Sequence, residues 1–222
     1  MTTLRRRSAQ TLRAWAIFAV SAVATLSLSG CDQAPAGGTA SGPELYELCT
    51  QCHGPNGLGN HHANTPAIAG LPAWYVEAQL IKFRSGQRGA HPDDITGMQM
   101  RPIARTLTSD VDVKTIAGFV SKMPRFRPEP RILDANPARG SALYKPCAAC
   151  HGANGEGNEG TKAPPLQAQS DFYIATQLMH FRKGARGTHP EDATGGMMRP
   201  QATMLPDDEA ARDIAAFIAQ SK

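Results

Sequence analysis

The chain has 222 residues, of which 41% are hydrophobic, so it is long enough to bury one or two cores and too apolar to belong to the disordered class. It carries 23 basic and 19 acidic residues, and four of its arginines lie within positions 1–30, where there is no acidic residue. The rest of the chain is therefore formally neutral, with 19 residues of each sign, and we expect no nucleic-acid partner.

Residues 1–30 are typical of an export signal. Arginines at the start are followed by an apolar stretch from Ala14, and the segment ends in Leu28-Ser29-Gly30-Cys31. This ending resembles the lipobox of bacterial lipoproteins, which implies cleavage before Cys31, lipid attachment to that cysteine, and a periplasmic location on a membrane surface. A transmembrane anchor is the alternative, but the stretch falls short of the ~20 strongly apolar residues that a spanning helix needs.

Beyond a predicted flexible tether at 31–42, the sequence repeats itself with the offset that separates Cys49 from Cys147. The duplication predicts two domains, at 43–123 and 138–222, which we call the first and second repeats. Four prolines between them indicate an extended linker at 124–137. Further pairs at the same offset are Gly59 and Gly157, Pro66 and Pro164, Phe83 and Phe181, and Met100 and Met198.

Each repeat is predicted to contain three main helices and no strand, so the fold class is all-α. The first helix ends in a cysteine motif, the central helix carries a buried apolar face, and the last helix follows Ser or Asp capping signals. The predicted bounds of the first two are 43–52 and Ala73–Ser85 in the first repeat, and 138–150 and Asp171–Lys183 in the second; the last helices start near Asp110 and Asp208.

The chemistry lies in two motifs, Cys49-Thr50-Gln51-Cys52-His53 and Cys147-Ala148-Ala149-Cys150-His151. Two thiols one helical turn apart can both add to the vinyl groups of haem, and the imidazole that follows can ligate its iron. Disulfides, zinc sites and redox dithiols are the alternatives for paired cysteines. Because both pairs share their spacing and a following histidine, the sequence predicts two covalently attached haem c groups, with His53 and His151 as proximal ligands.

The second axial ligand is expected later in each repeat. Met100 and Met198 recur at the repeat offset, as do His91 and His189. Methionine is favoured because a thioether ligand raises the reduction potential, which suits an electron carrier. We expect it to lie on a loop before the last helix, which swings over the haem. Two nearby methionines outside the repeat register stay open as alternatives: Met98 and Met197.

The pattern resembles class I cytochromes c, and its tandem form resembles the diheme cytochrome c4 family, over nearly the whole chain from residue 43 onward. The resemblance implies His/Met haems, a carbonyl of Pro66 or Pro164 that accepts a hydrogen bond from the proximal imidazole, and electron delivery towards terminal oxidases. Besides the cysteine motifs, the residues that carry it include Gly57, Gly59, Ile68, Gln79, Phe83, Gly86, Met100 and Leu107.

The predicted function is a one-electron carrier in a respiratory chain, held at a membrane by lipid. Its expected partners are redox proteins, namely a respiratory complex, a terminal oxidase or a dehydrogenase, and no catalytic residue is predicted. The alternatives are a haem subunit of a periplasmic dehydrogenase complex and a diheme enzyme such as a peroxidase. Several basic side chains are candidates for haem propionates or for a solvated helix face: Lys82, Arg84, Arg88, Arg182, Lys183 and Arg186.

Overall fold

The computed structural model describes residues 40–221, so the export signal, Cys31 and most of the tether lie outside the described residues. The regular structure in this part is helical apart from two isolated bridges, which confirms the all-α prediction. None of its helices is long and apolar enough to cross a membrane. The helices are α1 (Gly42–His53), α2 (Ala73–Ser85), α3 (Ile95–Arg105), α4 (Asp110–Lys122), α5 (Pro137–Tyr144), α6 (Ala148–His151), α7 (Asp171–Lys183), α8 (Ala193–Thr203) and α9 (Asp208–Gln220), with a short 3₁₀ helix at His61–Ala63.

In each repeat two helices pack against the last one, and the helix before the last, α3 or α8, packs against α2 or α7. In the first repeat α1 and α2 contact α4, and in the second α5 and α7 contact α9. Isoleucines at equivalent places, Ile116 and Ile214, are each 2% exposed at the centre of the two cores. The aromatic pair Tyr46–Phe119, with ring centroids 5.5 Å apart, recurs as Tyr144–Phe217 at 5.3 Å.

The cysteine-bearing segment differs between the repeats. In the first, Ser41 and Glu44 form a capping box and α1 continues unbroken to His53. In the second, the predicted continuous helix at 138–150 is wrong, because α5 ends at Tyr144 and α6 begins at Ala148. Pro146 lies in the gap, where it has no N–H to continue the helical hydrogen bonding.

A helix that the sequence did not predict carries the candidate methionine in each repeat. Met100 lies in α3 and Met198 in α8, so the expectation of a loop was wrong. Each helix contains a proline, Pro102 or Pro200, although proline disfavours a helix interior. Each helix starts on an aspartate that caps it, and proline removes only one internal hydrogen bond near its end.

The linker is fastened to the second repeat by a buried carboxylate. Asp171, at the start of α7, is 2% exposed and accepts hydrogen bonds from the backbone N–H groups of Arg131 (2.6 Å) and Ile132 (2.8 Å). On the other side, Arg125 donates to the carbonyl of Gly70 in the first repeat at 2.7 Å. The extended segment is thus tied to both repeats.

Candidate functional site

The histidine of each cysteine motif is buried and held by one backbone carbonyl. His53 is 7% exposed and its Nδ1 lies 2.9 Å from the carbonyl oxygen of Pro66. In the second repeat His151 is 8% exposed, with Nδ1 3.0 Å from the carbonyl of Pro164. A bond from Nδ1–H to a carbonyl fixes the ring orientation and leaves Nε2 free to bind a metal.

A glycine allows the Pro66 carbonyl to come this close. Gly59 has φ +73°, and a Cβ there would lie 2.5 Å from the carbonyl carbon of Pro66. Its N–H donates to the carbonyl of His53 at 2.9 Å, so the loop folds back onto the end of α1. Gly157 repeats this, with φ +83° and an N–H bond of 2.8 Å to His151.

Burial sets the protonation of the site. It lowers the pKa of His53 and of His151, against the opposing effect of the proline carbonyls, so both imidazoles are neutral at pH 7 and able to bind a metal. It also raises the pKa of Cys49 to about 11 and raises that of Cys147. A reactive dithiol usually has a lowered thiol pKa, and the four cysteines at 40–221 form no disulfide.

An open, largely apolar cleft lies beside the first motif. It encloses about 1130 Å³, its mouth included. Met100 lines this cleft together with His53, whereas Met98, in the same helix, does not line it and is 40% exposed. His91 is also absent from the lining, and its Nδ1 accepts a bond from the N–H of Asp93.

The second repeat distributes its methionines in the same way. Met198 is half-buried and packs against the core that contains Leu178 and Ile218. Met197 is 60% exposed. His189 uses its Nδ1 to accept a bond from the N–H of Glu191, as a turn residue. Of the candidates in each repeat, the methionine in repeat register is therefore the one directed towards the interior.

Four of the basic side chains considered for propionates already pair with aspartates. Arg84 pairs with Asp110, and Arg182 and Lys183 pair with Asp208. Lys82 pairs across the repeats with Asp192. These four thus already have acidic partners, although Lys183 is itself exposed to solvent.

Arg88 and Arg186 are different because both are buried between the repeats without an acidic partner in the described part of the chain. Each guanidinium donates to the side-chain oxygens of both Gln79 and Gln177, at 2.7 to 3.0 Å. Arg88 also donates to Tyr173 at 2.6 Å, and both arginines stack on a phenylalanine ring. This network was not predicted from the sequence, although Gln79 and Gln177 recur at the repeat offset, as do Tyr75 and Tyr173.

The residues present fit a haem group. Arg88 and the second-repeat residue Tyr173 both line the first-repeat cleft, and the Nε atoms of Arg88 and Arg186 have no hydrogen-bond partner at 40–221. A buried, unpaired guanidinium suits a carboxylate, and haem carries two of them on an otherwise apolar ring. Paired thiols, a histidine with free Nε2, and a methionine complete the donor set around one cleft.

Comparison with known proteins agrees with this geometry. The model of the cytochrome c family matches the chain twice, at residues 39–124 and 137–222. Cytochrome c4 of Azotobacter vinelandii is 31% identical over 211 residues, covering 89% of this chain and 94% of that one. A thiosulfate dehydrogenase electron acceptor of Stutzerimonas stutzeri is 34% identical, covering 72% and 73%. The structure of Acidithiobacillus ferrooxidans cytochrome c4 superposes with a TM-score of 0.64 at 25% identity, covering 78% and 98%.

Proposed function

The chain belongs to the cytochrome c family, and from that premise we propose that it is a membrane-tethered periplasmic carrier in which each haem has one histidine and one methionine ligand. It is a diheme electron-transfer protein of the cytochrome c4 type. One haem c is attached covalently through Cys49 and Cys52, and the other through Cys147 and Cys150. Bound haem supplies the one-electron couple between ferrous and ferric iron.

The observation that carries the ligand proposal is the cleft of the first repeat. Burial keeps the imidazole of His53 neutral there, the Pro66 carbonyl fixes its orientation through Nδ1–H, and Met100 lines the same space. We extend this to His151 and Met198 because they lie at the repeat offset and share the bond to a proline carbonyl. The test is the charge-transfer band between ferric iron and methionine sulfur, which we expect from both haems.

The polar groups around the cleft bind and orient, and none is arranged as a catalytic base. Arg88 and Arg186, which are buried between the repeats, would supply positive charge for the propionates, and Gln79 and Gln177 hold the two guanidiniums in place. The role proposed for these residues is to hold two redox centres in one fixed arrangement, which suits electron passage between the repeats.

The proposed electron acceptor is a terminal oxidase. The reduced diheme protein, mixed with oxidase-containing membranes, is expected to be reoxidised by oxygen in a reaction that cyanide stops. Loss of the ferrous absorption bands measures the rate. Reoxidation at the same slow rate with and without membranes would contradict the proposal.

A second candidate is electron acceptor for a dehydrogenase, because the relative from Stutzerimonas stutzeri is called the electron acceptor of thiosulfate dehydrogenase. In this case the ferric protein is reduced rapidly by that enzyme with thiosulfate, and not by thiosulfate alone. Fast reduction here, with no reaction at the oxidase, favours the second candidate. A carrier between the two enzymes shows both reactions.

The lipid anchor is proposed from Leu28-Ser29-Gly30-Cys31. We expect mass spectrometry of the mature protein to find an acylated N-terminal Cys31, and Cys31→Ser to move the protein from the membrane fraction to a soluble one. The reason is that the acyl chains, at about 0.8 kcal/mol per buried CH₂, provide the membrane affinity. A mature chain that still begins at Met1 would contradict the anchor.

A further inference from the structure

The two repeats touch through a contact that is made twice, with one difference. Lys82 of α2 donates to Asp192 at 2.5 Å. Its counterpart at the repeat offset is His180 of α7, whose Nδ1 lies 3.4 Å from an oxygen of Asp94, the counterpart of Asp192. The same position thus carries a lysine towards one repeat and a histidine towards the other.

Each of these contacts lies at the start of a methionine-bearing helix. Asp94 caps α3, and its carboxylate accepts a bond of 2.9 Å from the N–H of Gly97. Asp192 caps α8 in the same way. Thr96 and Gly97, next to Asp94, line the cleft of the first repeat. A charge on His180 is therefore placed beside the first-repeat cleft.

The contact between His180 and Asp94 satisfies fewer of its polar atoms than the contact between Lys82 and Asp192 does. The side chain of His180 is 15% exposed and that of Asp94 is 1% exposed. His180 Nδ1 and Asp94 Oδ2 are both buried without a hydrogen-bond partner in the described part of the chain. Lys82, in contrast, is bonded to both Asp192 and Thr194.

Charged groups of both signs face His180 from the elements packed around it. Asp93 and Asp94 approach from the segment before α3, Arg88 from the segment after α2, and Arg186 from the segment after α7. Burial is the largest cause of a lowered pKa at His180; Asp94 opposes it, the two arginines add to it, and Asp93 opposes it. His180 is therefore neutral at pH 7 and gains its proton only at a pH below the ordinary imidazole range.

Lys82 keeps its charge over the same range. Burial lowers its pKa, and the hydrogen bond to Asp192 opposes this. Because the unperturbed pKa of lysine is about 10.4, Lys82 stays protonated. We propose that His180 and Asp94 form a proton-linked contact that makes the potential of the first-repeat haem depend on pH, while the Lys82–Asp192 contact leaves the second-repeat haem without this dependence. His180 acts as a positioning residue, through Asp94 and the helix that Asp94 caps.

The direction of the effect follows from the charge. A proton on His180 adds a positive charge near the first-repeat cleft, which favours the reduced iron, so that potential rises as the pH falls. Stability changes in the opposite direction. The folded chain binds this proton less readily than the unfolded chain does. The contribution of His180 to the free energy of unfolding is therefore fully present above about pH 6.5, and it is lost as the pH falls through the lowered pKa of His180.

The experiment is a spectroelectrochemical titration of the purified diheme protein from about pH 4.5 to about pH 8, which brackets the usual imidazole pKa of ~6.5. In the wild type we expect one potential to rise towards acid, by roughly a twofold to fivefold change in the reduction equilibrium. His180→Lys fixes the charge, so this potential becomes high and loses that component of the pH dependence. His180→Gln removes the charge, so this potential becomes low and also loses that component of the pH dependence.

The reciprocal change is Lys82→His, which is expected to give the second potential the same pH dependence. His62→Gln is the matched control, because His62 is exposed and has no counterpart in the second repeat. The proposal is overturned if His180→Lys and His180→Gln both retain the wild-type pH dependence. It rests on the proposed function only in that each repeat binds a haem, and the potentials of the isolated protein are measured without any partner, so failure of the partner assays leaves this result intact.

Discussion

Met100→Ala is expected to lower one of the two haem potentials by roughly 0.1 V or more, within the ~0.8 V range that axial ligands span. A thioether ligand stabilises ferrous iron, and the shorter side chain cannot reach the iron. About half of the iron–sulfur charge-transfer absorption is lost at the same time, since the second repeat keeps its own methionine. Potentiometry and near-infrared absorption measure the two effects, and the ferrous variant gains carbon monoxide binding at one haem.

The matched control is Met98→Ala. Met98 lies in the same helix, but it is 40% exposed and does not line the cleft, so neither the potentials nor the absorption band should change. In the second repeat Met198→Ala is expected to act on the other potential, with Met197→Ala as its control. Loss of the band in Met98→Ala, together with its retention in Met100→Ala, would show that Met98 is the ligand and refute the proposal.

The haem sites were predictable from sequence where the determinants are local. The cysteine motifs are contiguous, and the bounds of α2 and α7 follow from an apolar face that begins after Pro72 or Ser170 and ends at Gly86 or Gly184. Repetition helped because each assignment could be checked against its counterpart. The two cysteine motifs and the repeat offset together identify the cofactor from the sequence.

The remaining features depend on distant or competing effects. Helices α3 and α8 were not predicted; each contains an internal proline, which disfavours a helix, and begins after a capping aspartate. The network of Arg88 was missed because its partners Tyr173 and Gln177 lie in the other repeat, and only the packing of the repeats brings them together. The role of His180 could not be predicted for the same reason, since its neighbour Asp94 belongs to the other repeat.

The crossing of α5 and α9 gives the largest stability prediction. Gly140 is buried there, and a Cβ at this position would lie 1.9 Å from the backbone carbonyl oxygen of Asp213. Backbone cannot move aside as a flexible side chain can, so Gly140→Ala forces the two helices apart. We expect a loss of about 1–3 kcal/mol in the free energy of unfolding of the second repeat, the usual size of an overpacking cost.

Substitutions of two other glycines provide comparisons for the stability cost of Gly140→Ala. Gly42, the counterpart of Gly140, would place its Cβ 2.6 Å from the Cβ of Phe119, so Gly42→Ala should also destabilise, but by less than Gly140→Ala because the overlap is smaller and involves no backbone atom. Gly118, within α4, has open space around it, and Gly118→Ala should be neutral or stabilising by up to ~1 kcal/mol through helix propensity. Thermal unfolding followed by circular dichroism separates the three, at roughly 4–8 °C per kcal/mol for a domain of this size. Equal melting of Gly140→Ala and Gly118→Ala would contradict the close approach of α5 to the backbone of α9.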